Sequence, residues 1–93
     1  MTLESIRNAV LKIVPIYPIK KVTLFGSRAD GTYRENSDVD LIMEFSKPIS
    51  LFILAEIKFH LEDLLGVAVD IIHGPIRDTD FLQTTSEVEL YAA

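Results

Sequence analysis

Apolar residues recur every three or four positions at the start of the chain. Leu3, Ile6, Val10, Ile13 and Val14 fall on one face of a helix, while Arg7, Asn8 and Lys12 fall elsewhere. Thr2 is placed to cap that helix. Pro15 and Pro18 end it, because proline lacks an N–H and disfavours helical geometry in the residue before it. Lys21 to Phe25 then reads as a short strand bounded by Gly26, and residues 26–37 read as a polar turn with one helical turn after Gly26. From Asp38 the period becomes two: Val39, Leu41, Met43 and Phe45 alternate with Asp38, Asp40, Ile42 and Glu44, which predicts a strand with one apolar face. Pro48 and Ser50 open a second long helix, with Leu51, Leu54, Ala55, the Lys58 stem, Leu61, Leu64 and Leu65 on its stripe and Gly66 just past its end. Val67 to His73 reads as a third strand interrupted by Asp70, Thr79 to Thr84 as a short helix, and Val88 to Tyr91 as a last strand. Helices alternating with strands predict an α/β (α+β) fold: one mixed sheet of about four strands, with two main helices on one face, in one domain spanning 1–93.

Composition narrows the classes. At 48% apolar and 25% charged residues the chain matches an ordinary folded globule. Its 93 residues exclude a two-domain enzyme on the usual scale of domain size. Nine basic against 14 acidic residues leave a formal charge of −5, with no basic cluster to hold a polymeric nucleic acid tightly. The absence of cysteine excludes disulfide scaffolds, thiolate zinc sites and cysteine nucleophiles. No apolar run is long enough for a membrane span or a signal peptide, so the expected location is cytoplasmic.

Three acids occupy predicted strands: Asp38, Asp40 and Asp70. Asp38 and Asp40 are two apart, so a strand turns both to the same face, about 6.6 Å apart along its axis. Asp70 lies among apolar neighbours, where an unpaired acid is costly to bury, and it joins the other two if its strand is adjacent. Three carboxylates around one point raise each other's pKa, which implies bound cations, and all-oxygen ligation suits Mg²⁺. A structural reading stands beside this one: Asp38 caps the turn after Ser37, Asp40 points to solvent, and Asp70 guards an edge strand. Gly26-Ser27 weighs toward chemistry. A glycine turn directly after an apolar strand lets backbone N–H groups approach a phosphate, and Ser27 adds a hydroxyl. Arg28, and less strongly Arg34, are candidate phosphate contacts in the same turn.

Taken together, Leu24-Phe25-Gly26-Ser27-Arg28-Ala29-Asp30-Gly31, Ser37-Asp38-Val39-Asp40-Leu41 and Val69-Asp70-Ile71 resemble the minimal nucleotidyltransferase (MNT) branch of the DNA polymerase β superfamily. Its mark is an apolar strand ending in Gly-Ser, an acid-x-acid strand shortly after, and a third acid on a later strand. Here Gly26 and Asp38 are 12 residues apart, Asp40 and Asp70 are 30 apart, and the resemblance covers about residues 21–73.

The resemblance implies a polymerase β-type nucleotidyltransferase fold and nucleotidyl transfer from ATP with two Mg²⁺ ions. Gly26 and Ser27 would hold the triphosphate, with Arg28 as a further nucleotide contact. Asp38 and Asp40 would ligate both ions, and Asp70 would complete the ion that activates the attacking hydroxyl. Because the chain has no acceptor-binding domain of its own, the resemblance points to the MNT antitoxins that transfer AMP to a tyrosine of a HEPN toxin. Two other readings remain: an antitoxin that masks its partner sterically, and a small-molecule nucleotidyltransferase whose acceptor site is on another chain. His60, His73 and Tyr33 are expected to be structural or surface residues. Phe52, Phe59 and Tyr91 are expected in the core or an interface. The acids Asp78, Asp80, Glu87 and Glu89 are expected to form a solvated face.

Overall fold

A computed structural model describes residues 1–31, 34, 37–74 and 87–93, with the backbone alone at positions 27 and 30. Helix α1 (Leu3–Ile13) starts in a reciprocal cap. The Ser5 N–H donates to Thr2 Oγ1 (3.1 Å), and the Thr2 N–H donates to Ser5 Oγ (2.9 Å). The prolines then turn the chain into β1 (Ile19–Phe25), which starts two residues earlier than the apolar pattern alone indicates. A four-residue helical turn, α2 (Ser27–Asp30), follows Gly26, and β2 (Val39–Phe45) returns beside β1.

Helix α3 (Leu51–Leu65) is capped by Ser50, whose Oγ accepts the Ile53 N–H at 3.2 Å, and closed by Gly66 at φ 75°. Strand β3 (Val69–His73) and the last strand, β4 (Glu87–Ala92), complete the sheet. The expected helix at Thr79–Thr84 lies outside the described residues.

The sheet order is β3-β2-β1-β4. Strand β1 runs antiparallel to both β2 and β4, and β2 runs parallel to β3, so the sheet is mixed as the pattern predicts. Both long helices cover the same face. Ile6, Ala9, Val10 and Ile13 of α1 and Ile57 and Leu61 of α3 pack on Val22, Leu24, Val39, Leu41, Met43, Val69 and Leu90. The opposite face carries Phe25 and Ile42, with Ile72 packed against them.

The stripe read for α3 is rotated. Leu61 is fully buried and Leu65 packs on the core, as the stripe has them, but Leu51 is 82% exposed and Leu64 40%, and Ile57, fully buried, and Ile53 are packed instead. This helix is apolar around much of its circumference, so its sequence does not select a face; packing against β3 does. Phe52 and Phe59 are likewise on the surface, 88% and 60% exposed, whereas Tyr91 packs against the core. Among the described residues no helix is long and apolar enough to cross a membrane.

Candidate active site

The acids and the glycine turn meet at one end of the sheet because of register. Antiparallel pairing sets Asp40 opposite Phe25, the last residue of β1 before Gly26. Parallel pairing of β2 with β3 sets Asp70 directly opposite Asp40. Residues in register share a face, so Asp40 and Asp70 stand side by side on the face away from the helices. Asp38 lies one residue before β2 and is exposed, as is Asp70; Asp40 is half-buried. Burial is the main reason the Asp40 carboxyl is held above its ordinary range, and the negative charges of Asp70 and Asp38 push it further the same way.

Gly26 closes the arrangement with φ at +80°; a Cβ there would come within 2.8 Å of Asp40 Oδ2. The turn continues as the Ala29 N–H donates to the Gly26 carbonyl at 3.0 Å. The Ser27 side chain lies outside the described residues, as do Tyr33, Arg77, Asp78 and Asp80.

Arg28 is buried, at 7% exposure, and its guanidinium donates through Nε (3.2 Å) and Nη2 (2.8 Å) to the carbonyl of Ser37, the residue before Asp38. Arg34 is exposed; its backbone N–H donates to Ser37 Oγ at 2.7 Å, and its carbonyl accepts the Ser37 N–H at 3.0 Å. His73 is exposed and lies edge-on to Phe45, while half-buried His60 is edge-on to Tyr17; neither joins the acids. Glu87 and Glu89 are exposed on β4, with Lys21 3.8 Å from Glu89.

Sequence reasoning missed Glu62. Its Oε2 accepts from Lys58 Nζ at 2.6 Å and from the Val69 N–H at 2.9 Å, at the residue before Asp70. The helical i,i+4 spacing of Lys58 and Glu62 was a signal for the ion pair but not for the strand contact.

The donor set suits a hard divalent cation. Among the described residues no three acidic or imidazole groups already enclose a metal position. Adjacent carboxylates with an open shell fit an ion of the Mg²⁺ kind, which takes one or two carboxylates and completes its shell with water and substrate phosphates. A cation there would also offset the repulsion that raises the Asp40 pKa. Beside Asp70 a groove of about 280 Å³ runs along the sheet edge, lined by Leu51, Leu54, Ala55, Lys58 and Ile71 as well as Asp70.

A two-helix, four-stranded mixed sheet bearing a glycine turn against paired carboxylates defines a nucleotidyltransferase. The chain belongs to the nucleotidyltransferase domain family, whose profile matches residues 3–90. A provisionally named protein adenylyltransferase of Methanocaldococcus jannaschii is 39% identical over 93 residues, covering 96% of this chain and 95% of its own. A solved structure described as a minimal nucleotidyltransferase, on provisional grounds, is 42% identical with a TM-score of 0.66 over 78% of each chain. The fold also matches a chain of the Shewanella oneidensis complex between a tri-AMPylated HEPN toxin and its MNT antitoxin. That match has a TM-score of 0.70 and 17% identity, over 97% of this chain and 72% of the other.

Proposed function

We propose that this nucleotidyltransferase moves AMP from ATP to a tyrosine hydroxyl of a partner protein of the HEPN toxin class, and so acts as an antitoxin. The observation that carries the chemistry is the register of Asp40 with Asp70, beside a glycine turn that fits against Asp40 Oδ2. Relatives named for protein adenylyl transfer, and the AMPylated toxin in the fold-related complex, support the acceptor class.

In this reading the backbone at Gly26 and Ser27 holds the triphosphate, where a tight turn lets N–H groups reach phosphate oxygens. Asp38, Asp40 and Asp70 would hold two Mg²⁺ ions, which supply charge stabilisation at the attacking and leaving oxygens. The acceptor oxygen bonds to the α-phosphorus, the bond from that phosphorus to the bridging oxygen breaks, and pyrophosphate leaves. In this reading Asp70 completes the ion that would activate the attacking hydroxyl, whose proton passes to solvent. The apolar groove ending at Asp70 gives a protein-borne side chain a path to this point.

The double variant Asp38→Asn with Asp40→Asn tests the reading. Mg²⁺-dependent transfer of label from α-labelled ATP to the co-purified partner is expected to be abolished, with thermal stability equal or higher. Undiminished transfer would overturn the enzymatic reading. A partner that stays unmodified yet is fully inhibited by the double variant would assign the protein to steric masking.

A further inference from the structure

The backbone is tied down one residue ahead of two of the three acids, Asp38 and Asp70. On the β2 side, Arg28 crosses from α2 and places two donors on the Ser37 carbonyl, immediately before Asp38. On the β3 side, Glu62 reaches from α3 and accepts the Val69 N–H, immediately before Asp70, at the same Oε2 that accepts from Lys58 Nζ. Between them the Val39 N–H donates to the Ala68 carbonyl at 2.9 Å, so the two tied backbones are joined to each other.

The resulting path runs from Arg28 through Ser37, Val39, Ala68 and Val69 to Glu62, through backbone adjacent in sequence to Asp38, Asp40 and Asp70. Neither Arg28 nor Glu62 is itself part of the acidic cluster. A buried guanidinium that aims two donors of its planar fork at one backbone carbonyl is a directional arrangement, suited to fixing a turn in one geometry. Glu62 does the same for β3, an edge strand whose first residues have a neighbouring strand on one side only.

We propose that Arg28 and Glu62 are positioning residues: by fixing the backbone at Ser37 and Val69 they set the spacing of Asp38, Asp40 and Asp70 on which cation binding depends. The proposal rests on the reading that these carboxylates hold a divalent cation. It gives Arg28 a different role from the phosphate contact that its place in the turn suggests. Outer partners of metal-holding groups typically change metal affinity or activity by about 10–100-fold when removed.

The test uses the full chain and the variants Arg28→Met, Arg28→Lys, Glu62→Ala and Glu62→Gln. Mn²⁺ binding is followed by loss of the free-ion EPR signal. AMP-PNP affinity is measured separately in EDTA, and kcat and KM for ATP are measured with the partner. Arg28→Met and Glu62→Ala are expected to weaken Mn²⁺ binding by about 10–100-fold and to lower kcat, with metal-free AMP-PNP affinity within about twofold of wild type. Arg28→Lys keeps a single donor and Glu62→Gln keeps an acceptor without its charge, so each is expected to show a smaller loss of the same kind.

Weaker metal-free AMP-PNP binding with unchanged Mn²⁺ binding in Arg28→Met would overturn the role of Arg28 and make it a phosphate contact. Unchanged Mn²⁺ binding and kcat in Glu62→Ala would overturn the role of Glu62. Circular dichroism checks folding, and if either disruptive variant fails to fold, its conservative partner decides: weaker Mn²⁺ binding with metal-free AMP-PNP affinity kept in a folded Lys or Gln variant supports positioning, and unchanged Mn²⁺ binding overturns it. Wild-type protein that binds no Mn²⁺ would instead sink the cation reading itself, which separates the two failures.

Discussion

At Gly26 two requirements coincide. Its φ of +80° lies in the region where a Cβ meets the following carbonyl, and that same Cβ would press on Asp40 Oδ2 at 2.8 Å. Gly26→Ala therefore carries a backbone penalty of about 1–2 kcal/mol and also displaces a carboxylate of the site. Urea unfolding is expected to show the first effect, and loss of label transfer larger than the stability change explains is expected to show the second. A variant with wild-type transfer would mean that Asp40 does not need its present position. The turn at Gly26 was legible in the sequence, but no local pattern showed that the glycine also makes room for an acid 14 positions later. That constraint arises only when β2 lies against the end of β1.

Among the elements, α1 and α3 illustrate opposite degrees of legibility. Helix α1 has a clear polar side and an N-cap threonine, so its buried face follows directly from spacing. Helix α3 has leucine, isoleucine or phenylalanine on nearly every side, and spacing could not choose among them. The packed face runs through Ile57 and Leu61, both fully buried, and leaves Leu51 in solvent. Ile57→Ala is expected to cost about 2–5 kcal/mol, as for other buried large-to-small changes. Leu51→Ala is expected to stay within about 0.5 kcal/mol of wild type. Chemical denaturation of both variants checks the assignment, and a reversed order of cost would refute this packing of α3. Strand β3 depends on the same helix, since Glu62 holds its first N–H.

For the molecule as a whole, the formal charge of −5 is unevenly placed. The three site acids contribute −3, residues 76–93 with one arginine and four acids contribute another −3, and the remainder carries +1. The acidity thus belongs to the three acids proposed to hold cations and to residues 76–93, which leaves the rest of the chain compatible with a bound nucleotide.

Two acids give stability a pH dependence of opposite sign. Asp40 titrates above its ordinary range in the folded state, so its contribution favours folding below the unfolded pKa and is lost as pH rises through the folded value. Glu62 is held below its ordinary range by its hydrogen bond from Lys58, then by that from the Val69 N–H. Its contribution is present above the unfolded pKa and lost as pH falls through the folded value. Melting temperatures measured from pH 3 to 7 without divalent cations are expected to show Asp40→Asn at or above wild type near pH 7, with the difference vanishing at the acid end. Glu62→Ala is expected below wild type near pH 7 and to converge with it as the pH falls. A Glu62→Ala deficit that persisted unchanged at pH 3 would show that the side chain acts through packing and not through its charge.

By itself the sequence determined the order of the described helices and strands, the caps of the two long helices and the two-helix, one-sheet class, because these depend on periods, prolines, glycines and residues close along the chain. It set Asp40 on a strand and singled out Asp70 as an acid in apolar company, whereas Asp38, read as part of the same strand, lies one residue before it. Only the tertiary structure decided that β3 lies parallel beside β2 in the register that sets Asp70 against Asp40, that β1 brings Gly26 onto the same acid, and that Arg28 and Glu62 reach backbone groups ahead of two of the acids. The physical reason is distance along the chain. Strand partners, the packed face of a uniformly apolar helix and side-chain bonds to remote carbonyls and N–H groups are chosen by how all the elements bury their surfaces together, and no local pattern encodes that choice.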